Sequence, residues 1–546
     1  MNNWMLVIGG LWVVGAWIRI FKITRFFQIE EYMNGRFLRW WGGHFFSVLP
    51  TLALIGFMVL MVAAGLAKVS ISDQPVWQVI GLIAVAVVIY PRPDAEVKKP
   101  LRLTGRVKRL LFGAFLLALL SMIALAWVIQ SMNISSDLLR ILSLHGAGMG
   151  LFVIAPVFLI GGNWLMYPVE ELLRRRFINS ARDVMKQLNP TVIGITGSYG
   201  KTSTKRFVEE ILNGRYKAYA TPKSYNTLMG ICLAINNDLK DDYSTDYFIV
   251  EMGAYIRGEI ERICQLTPPQ IAIVTALGPQ HLERFGTLEN IVEAKYELVK
   301  NLPPDGVAVF NWDNQHIRQM MSRDYPQTRV GVSQTASLTD APSEVRFVAT
   351  DVHEALTGLR FTVHDRQTGE HAIYETTVIG IHNVTNILLA VAVGVEQGMS
   401  LNEIGLRVRM MKPAESRLTQ QVTASGITII NDAYSANPEG VVSALRVLGL
   451  HTTGRRVLIT PGMVELGDLQ NAENFKLGVL AAEYATDIIL VGQEQTLPIY
   501  DGLQSVNFAN DRLQVVDLLG QAMAWIDQNL RAGDTVLFLN DLPDTY

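Results

Sequence analysis

Every run apolar enough to cross a hydrocarbon core lies in the first third of this chain, and that confinement limits its fold more than any other feature. The runs are 4–21, 47–67, 76–90, 110–130 and 141–165, the third being the shortest. A chain of 546 residues is too long for one core, so about three or four domains are expected. Residues 1–168 read as an α-helical membrane domain of about five transmembrane helices. The first run is not a cleaved signal peptide, because no basic residue precedes it and a basic cluster follows it.

Charge placement orients these helices. Lys22, Arg25, Arg36 and Arg39 separate the first two runs. Arg92, Lys98, Lys99, Arg102, Arg106, Lys108 and Arg109 separate the third and fourth, and Arg174, Arg175 and Arg176 follow the fifth. The loops near 69–75 and 131–139 are almost free of basic residues. By the positive-inside rule the N-terminus is outside and the rest of the chain is cytoplasmic, in a multi-pass plasma-membrane protein with the lipid bilayer as a partner. The stretch 26–41 (FFQIEEYMNGRFLRWW) is expected in the interface on the cytoplasmic side. His145 is given no role, and no row of charged residues marks an ion pathway. A net charge of −3 gives no argument for a nucleic-acid partner. Cys232 and Cys264 are in no metal-like spacing and should pack as small apolar residues in a reducing compartment.

After a basic, helical connector at 169–190 comes TVIGITGSYGKTSTKRFVEEIL, residues 191–212. Its β-branched start reads as a buried strand, its end as a helix from 203, and between them lies a glycine-punctuated turn. Strand, glycine loop and helix N-terminus make a phosphate cradle, formed by Gly197, Ser198, Gly200, Lys201, Thr202 and Ser203. Lys201 would reach terminal phosphates of ATP and Thr202 would ligate Mg²⁺. The general G-x-x-x-x-G-K-[ST] pattern wants glycine at 195, where this chain has isoleucine; its glycine is Gly194. A solvated lysine on a glycine-rich turn is the bland alternative, and the flanking strand and helix speak against it.

The strand 246–251 ends in Glu251, where a Mg²⁺ carboxylate is wanted beside a phosphate loop. Further strands at 270–275, 306–311, 427–430, 456–460, 487–491 and 535–539 alternate with helices, an α/β pattern with mostly parallel sheets. Residues 345–379 read as an antiparallel excursion, and Lys412-Pro413 marks a boundary between domains at 191–410 and 411–546.

An ordered series of motifs over about 191–540 resembles the Mur ligases, ATP-dependent amide-bond ligases of cell-wall precursor synthesis. The series is GITGSYGKTSTK, SYNTLMG, VEMGAYIRGEI, GPQHLERFGTLENIVEAKYEL, GIHNVTNILLAVAV, ESRLTQQVTASGITIINDAYSANPEG and MVELG. Within the family it is most similar to the MurF branch, which adds D-alanyl-D-alanine to a UDP-linked muramoyl tripeptide. The resemblance implies a P-loop central domain and a Rossmann-like C-terminal domain after the membrane helices. It implies Lys201 on the β/γ-phosphates, one Mg²⁺ on Thr202 and Glu251, and a second on His281 and Lys295, with Lys295 carboxylated at its amine. It also implies Asn386 near the adenine, Arg417 on the γ-phosphate, Asp432 on the ribose side, and Ser224 and Asn226 in a substrate loop. The implied partners are a cell-wall precursor carboxylate and an amino-acid or dipeptide amine, joined through an acyl phosphate.

The chain departs from that branch at both ends. Membrane runs stand where a UDP-sugar-binding domain belongs, so the acceptor is expected to be either UDP-linked or lipid-linked. The ending VLFLNDLPDTY replaces a basic, glycine-containing one, which leaves the incoming amine open. Three rivals remain: a membrane-associated poly-γ-glutamate synthase, an ATP-driven transporter and an inert scaffold. The NDAYSANP and MVELG motifs weigh against the first, the lack of intramembrane charge rows against the second, and the full set of phosphate and metal residues against the third.

Overall fold

The computed structural model describes residues 3–30, 32–44, 55–56, 59, 85, 100–132, 134, 137–414, 417–433 and 436–540. Contacts divide the chain into two units, one up to Arg176 and one over Phe177–Leu542. The apolar runs 47–67 and 76–90 lie almost wholly outside the described residues.

In the first unit, Leu6–Ile29 and Gly105–Ser131 are long and apolar enough to cross a membrane. The fifth apolar run is not one straight span. Helix Asp137–Val153 and helix Ala155–Leu188 meet at a 64° bend. Pro156 explains the break, since it offers no N–H to the preceding turn and its ring crowds the carbonyl four residues back. Helix Ala155–Leu188 carries both the end of that run and the basic stretch after it, and it passes through Pro168. The aromatic stretch 26–41 is divided between two elements. The first helix ends at Ile29, the chain turns at Tyr32 (φ 61°), and a short helix Asn34–His44 folds back. Phe26 then stacks on Trp40 at 4.1 Å and Phe27 meets Phe37 at 4.8 Å, which buries Phe37.

Three basic segments gather at one end of this unit. Gln28 exchanges hydrogen bonds with the Arg102 backbone, Arg106 lies 3.9 Å from the Tyr32 ring centroid, and Arg109 pairs with Glu170 at 2.6 Å. At the helix crossing, a Cβ on Gly162 would stand 2.8 Å from the Ala114 nitrogen, so the two backbones approach as closely as small residues permit.

The second unit holds two sheets. The first contains β1 Thr191–Thr196, β2 Ala218–Ala220, β3 Tyr247–Glu251, β4 Ile271–Val274, β5 Val307–Asn311, β6 Thr328–Ser333, β7 Val345–Ala355, β8 Gly358–Asp365 and β9 His371–Thr376. Their order is β2-β3-β1-β4-β5-β6-β7-β8-β9; pairs are parallel up to β7, and β7-β8-β9 are antiparallel. The second sheet contains β10 Thr419–Val422, β11 Thr428–Asp432, β12 Arg456–Thr460, β13 Asp487–Val491, β14 Leu513–Val516 and β15 Thr535–Leu539, ordered β10-β11-β15-β12-β13-β14. All its pairs are parallel except β10-β11.

β1 is buried from Val192 to Thr196 because helices cover both faces of the sheet. Ile193 and Ile195 pack with Phe207, Val208 and Ile211, while Val192 packs with Ala294 and Leu298. The β1 neighbours are β3 on one side and β4 on the other, so the chain reverses its direction of sheet growth there. In open parallel sheets that reversal leaves a crevice at the strand ends, which is where ligands bind.

In the C-terminal sheet domain, helix Gln470–Tyr484 locks into helix Gln493–Ser505. A Cβ on Gly478 would lie 2.2 Å from the Ile499 carbonyl oxygen, and one on Gly502 would lie 2.2 Å from that of Phe475. Gly478→Val should therefore cost about 3 kcal/mol or more in thermal or urea unfolding, the upper end of overpacking penalties. Gly520→Ala, whose Cβ meets nothing within 4 Å, should be close to neutral in the same assay.

Candidate functional site

The turn after β1 is held from beneath. Gly200 adopts φ 78°, and a Cβ there would sit 2.6 Å from Asn386 Oδ1. A Cβ on Gly197 would sit 2.1 Å from the Thr275 hydroxyl. Ser198 N donates to the Ala276 carbonyl at 2.6 Å, and Ser198 Oγ donates to that of Gly278 at 3.0 Å. Thr275 also donates to the Tyr199 carbonyl. The loop is thus preorganised by the segment after β4. Gly194 plays another part: its absent Cβ leaves room for Leu298, whose Cδ1 would be 2.5 Å away. It is a packing glycine in the strand and does not belong to the cradle.

The helix begins at Lys201, two residues earlier than the sequence predicts, with Gly200 as its N-cap. Ser203 lies in its first turn. Lys201 Nζ curls back onto the carbonyls of Gly197 at 2.7 Å and Ser198 at 2.9 Å. Burial pushes its pKa down to about 8, with Glu251 pulling up and Arg417 pushing down. Thr202 Oγ1 donates to Glu251 Oε2 at 3.1 Å, and Asn226 Nδ2 donates to Glu251 Oε1 at 3.3 Å. Lys205 Nζ stands 3.0 Å from Glu251 Oε2 and donates to the Lys223 carbonyl at 2.7 Å. Burial alone would raise the Glu251 pKa, but the charges of Lys205 and Lys201 bring it below the ordinary value, so this carboxylate is ionised. Thr202 and Glu251 place two hard oxygens at the mouth of a phosphate loop, a donor set that fits Mg²⁺ completed by water and phosphate oxygens.

A second group of residues lies across the crevice. Lys295, in helix Leu288–Lys300, is buried and donates to the Ala254 carbonyl at 3.3 Å. Its pKa falls to about 7, first through burial and then through the charge of Lys201. His281 Nδ1 meets Glu465 Oε2 at 2.5 Å, and its ring lies edge-on to Tyr255 at 4.7 Å. Burial lowers the His281 pKa, the charges of Lys201 and Lys295 add to that, and Glu465 opposes it. Glu465 follows β12 in the other sheet domain, so this contact joins the two domains. A carboxylate on one imidazole nitrogen fixes the ring and presents the other as a donor. As they stand, His281 and Lys295 offer one imidazole and one amine. That set fits a hard cation only with carboxylate oxygens added at Lys295. Among the described residues, no three His, Cys, Asp or Glu side chains converge as a metal cluster.

Arg417 also reaches this crevice, since its charge depresses the pKa of both Lys201 and His382. Burial raises the Asp432 carboxyl to about 6, while Arg417 and the Leu418 N–H, 3.0 Å away, pull it down. Asn386 bonds Thr204 Oγ1 at 3.2 Å and Asn383 at 3.1 Å, which seats it under the loop helix. Ser224 and Asn226 lie on the turn before helix Leu228–Ala234, and the Asn226 carbonyl accepts from Gly253 N at 2.7 Å. Cys232 and Cys264 are buried and free, their thiols pushed up to about 11 and about 12 by burial.

Sequence reasoning passes over Lys205, Thr275, Glu465 and His382. Lys205 is within its reach: four residues after Lys201 on a helix, it shares that face. Glu465 and His382 have only their motifs to mark them, because their partners lie 184 and 61 residues away.

Comparison with known proteins bears on the same residues. The family described as Mur ligase middle domain matches 195–394, and that described as Mur ligase, glutamate ligase domain, matches 416–540. The UDP-N-acetylmuramoyl-tripeptide–D-alanyl-D-alanine ligase of Mycobacterium tuberculosis is 31% identical over 368 residues, 64% of this chain and 69% of that one. The ligase of the same name from Bacillus subtilis is 28% identical over 359 residues, 66% and 74% of the two chains. The crystal structure of MurF from Acinetobacter baumannii superposes with a TM-score of 0.57 at 25% identity, covering 67% of this chain and 77% of that one. MurF from Thermotoga maritima, solved with ADP, shares the fold with a TM-score of 0.57 at 22% identity, covering 67% and 80%.

Lys205→Met should leave the buried Glu251 carboxylate short of its nearest cation and cost about 3–5 kcal/mol in unfolding of the full chain. Adding Glu251→Gln should recover part of that loss. Equal melting of wild type and the single variant would show that the pair does not hold the site together.

Proposed function

The chain belongs to the Mur ligase family of ATP-dependent carbon–nitrogen ligases, and from that premise we propose that it joins an amine to a cell-wall precursor carboxylate in the MurF manner, beside a membrane. The observation that carries this reading is the convergence of Lys201, Thr202, Glu251, His281, Lys295 and Arg417 on the crevice at the end of β1. A phosphate loop alone would suit any nucleotide hydrolase. A buried lysine facing that loop from a separate helix suits ligation.

In the proposed reaction a substrate carboxylate oxygen attacks the γ-phosphorus of ATP. The bond to the β,γ-bridging oxygen breaks, leaving an acyl phosphate and ADP. The amine nitrogen then attacks the acyl carbon, the carbon–oxygen bond to phosphate breaks, and the amine gives up a proton. Carboxylate and phosphate are both anions, so the task of the site is alignment and charge neutralisation. Lys201 would leave its loop carbonyls for the β/γ-phosphates, and Arg417 would meet the γ-phosphate. Thr202 and Glu251 would hold one Mg²⁺, and His281 with a carboxylated Lys295 a second; bound there, the ions would offset phosphate charge. A lysine with a pKa of about 7 supports that modification, because only the neutral amine adds carbon dioxide. Asn386 and Asp432 would lie on the nucleoside side, and Ser224 and Asn226 on the substrate side.

The membrane reading rests on the two candidate spanning helices and on the basic segments gathered at one end of the first unit. We place the N-terminus outside and the ligase domains in the cytoplasm, with the membrane domain over 1–168, a connector over 169–190, the central domain over 191–410 and the C-terminal domain over 411–546. The family matches begin at residue 195, so apolar helices stand before them. That favours a lipid-linked acceptor over a UDP-linked one.

The test is ADP release by detergent-solubilised full-length protein. It is expected with a lipid-linked muramoyl peptide plus D-alanyl-D-alanine, and is expected to be weak with the UDP-linked form. Turnover with glutamate alone would turn the assignment to a poly-γ-glutamate synthase, and ATP cleavage without any acceptor would turn it to a transporter. Lys295→Ala should lower kcat at least about a hundredfold, the loss typical of removing one transition-state stabiliser. Wild type stripped of bicarbonate should lose activity and regain it on bicarbonate addition. Full turnover by the variant would sink the role given to Lys295.

A further inference from the structure

Among the described residues, the buried charge of the first unit has no carboxylate counterpart. Arg19 lies within the spanning helix Leu6–Ile29 and is only 4% exposed. Its Nε, Nη1 and Nη2 make no hydrogen bond among the described residues. Its described neighbour is an aromatic face, the Phe152 ring at 4.9 Å. Trp12, seven residues before Arg19 and so roughly 10 Å along the helix axis from it, meets the same Phe152 ring at 6.3 Å and donates its indole N–H to His145 Nδ1 at 3.1 Å.

The sequence offers this guanidinium little relief. The carboxylates before residue 170 are Glu30, Glu31, Asp73, Asp94, Glu96 and Asp137, and none lies in an apolar run. Glu30 is already paired with Arg36 at 3.1 Å. A buried cation in a membrane helix is costly, and such residues are kept where they meet a partner or a ligand. The position also selects the ligand. At the helical rise, Arg19 stands roughly 4.5 Å and roughly 9 Å along the axis from Lys22 and Arg25, the basic residues that mark this end of the span. Lipid phosphates lie at that level. Arg19 faces helix Asp137–Val153 instead of the surrounding lipid, so the group it meets must enter between helices. Five guanidinium N–H donors in a planar fork match phosphate geometry.

We propose that Arg19, packed against Phe152, forms an intramembrane site for the phosphate or diphosphate group of a membrane lipid. The site rests on the reading of the first unit as membrane-spanning, and it deepens the proposal of a lipid-linked acceptor by locating its anionic group.

The experiment uses the full chain in a neutral detergent with a polyprenyl diphosphate as probe. Native mass spectrometry reads lipid retention, and thermal melting reads stability. Wild type should retain the lipid and melt higher with it. Arg19→Met should lose retention at least tenfold, lose the lipid-induced shift, and melt no lower than wild type in the absence of lipid, because a buried unpaired charge has been removed. Arg19→Lys should retain lipid weakly. Retention by Arg19→Met equal to wild type would overturn the site. So would a lower lipid-free melting temperature for Arg19→Met, which would make Arg19 a structural residue. Competition by inorganic diphosphate at the same concentration as the lipid would assign the site to a soluble anion and overturn the lipid assignment. Loss of lipid binding in a variant that still ligates a UDP-linked acceptor would end the lipid-linked reading of the reaction and leave the lipid site standing.

Discussion

The crevice of the second unit is organised around one buried carboxylate. Glu251 ends β3 beside the end of β1, where a single strand carries the phosphate loop. An ion in that place is tolerated only if its charge and its oxygens are answered. They are answered by Lys205 and Thr202 from the loop helix and by Asn226 from the turn before the next helix. Lys205 in turn satisfies the Lys223 carbonyl. One charge therefore ties the glycine loop, the turn carrying Asn226 and the central sheet to one another. The arrangement also explains why the position suits a cation. The protein already supplies positive charge there, and Mg²⁺ entering between Thr202 and Glu251 would take over part of what Lys205 does.

The parts of this plan that are local in the chain are legible in its residues alone. Thr191–Thr196, Arg456–Thr460, Asp487–Val491 and Thr535–Leu539 are strands with the bounds that their apolar runs suggest, because each is buried on both faces. The antiparallel set β7-β8-β9 is equally plain from its alternation. What escapes is short or partly exposed. Ala218–Ala220 has three residues, and Leu513–Val516 and Thr328–Ser333 expose part of their length, so none of them presents an apolar run. The bend at Pro156 is legible in principle, but hydropathy averages over it. Lys205 and Glu465 escape for a different reason. A residue whose work is to position another gives no motif of its own, and its partner must be found in space.

Both units obey the same rule on charge in a low dielectric, with opposite results. In the ligase unit each buried ion at the site has answering groups within the chain. In the first unit the Arg19 guanidinium makes no hydrogen bond among the described residues and lies over the Phe152 ring, and the apolar runs of the sequence hold no carboxylate. A closed balance marks a structural centre that can be reset by a metal. The open one is where, on the proposal above, a lipid phosphate would be brought in.

The contact between His281 and Glu465 shows how the two sheet domains share one site. His281 sits at φ 59° and Glu465 at φ 63°, left-handed conformations that neither residue favours. Each is held by its surroundings, and Arg284 braces Glu465 at 3.5 Å while packing 4.3 Å from the Tyr255 ring centroid. Arg417 reaches toward Lys201 from the same C-terminal side. Separation of the domains would strip His281 of the carboxylate that orients it and remove Arg417 from the phosphate end of the crevice. The phosphate loop, Thr202 and Glu251 would survive that separation intact, since all their partners lie in the central domain. On the proposed reaction, nucleotide binding would fall to a preformed half and chemistry to a half completed by closure, the order in which a ligase must act if it is to bind ATP without wasting it.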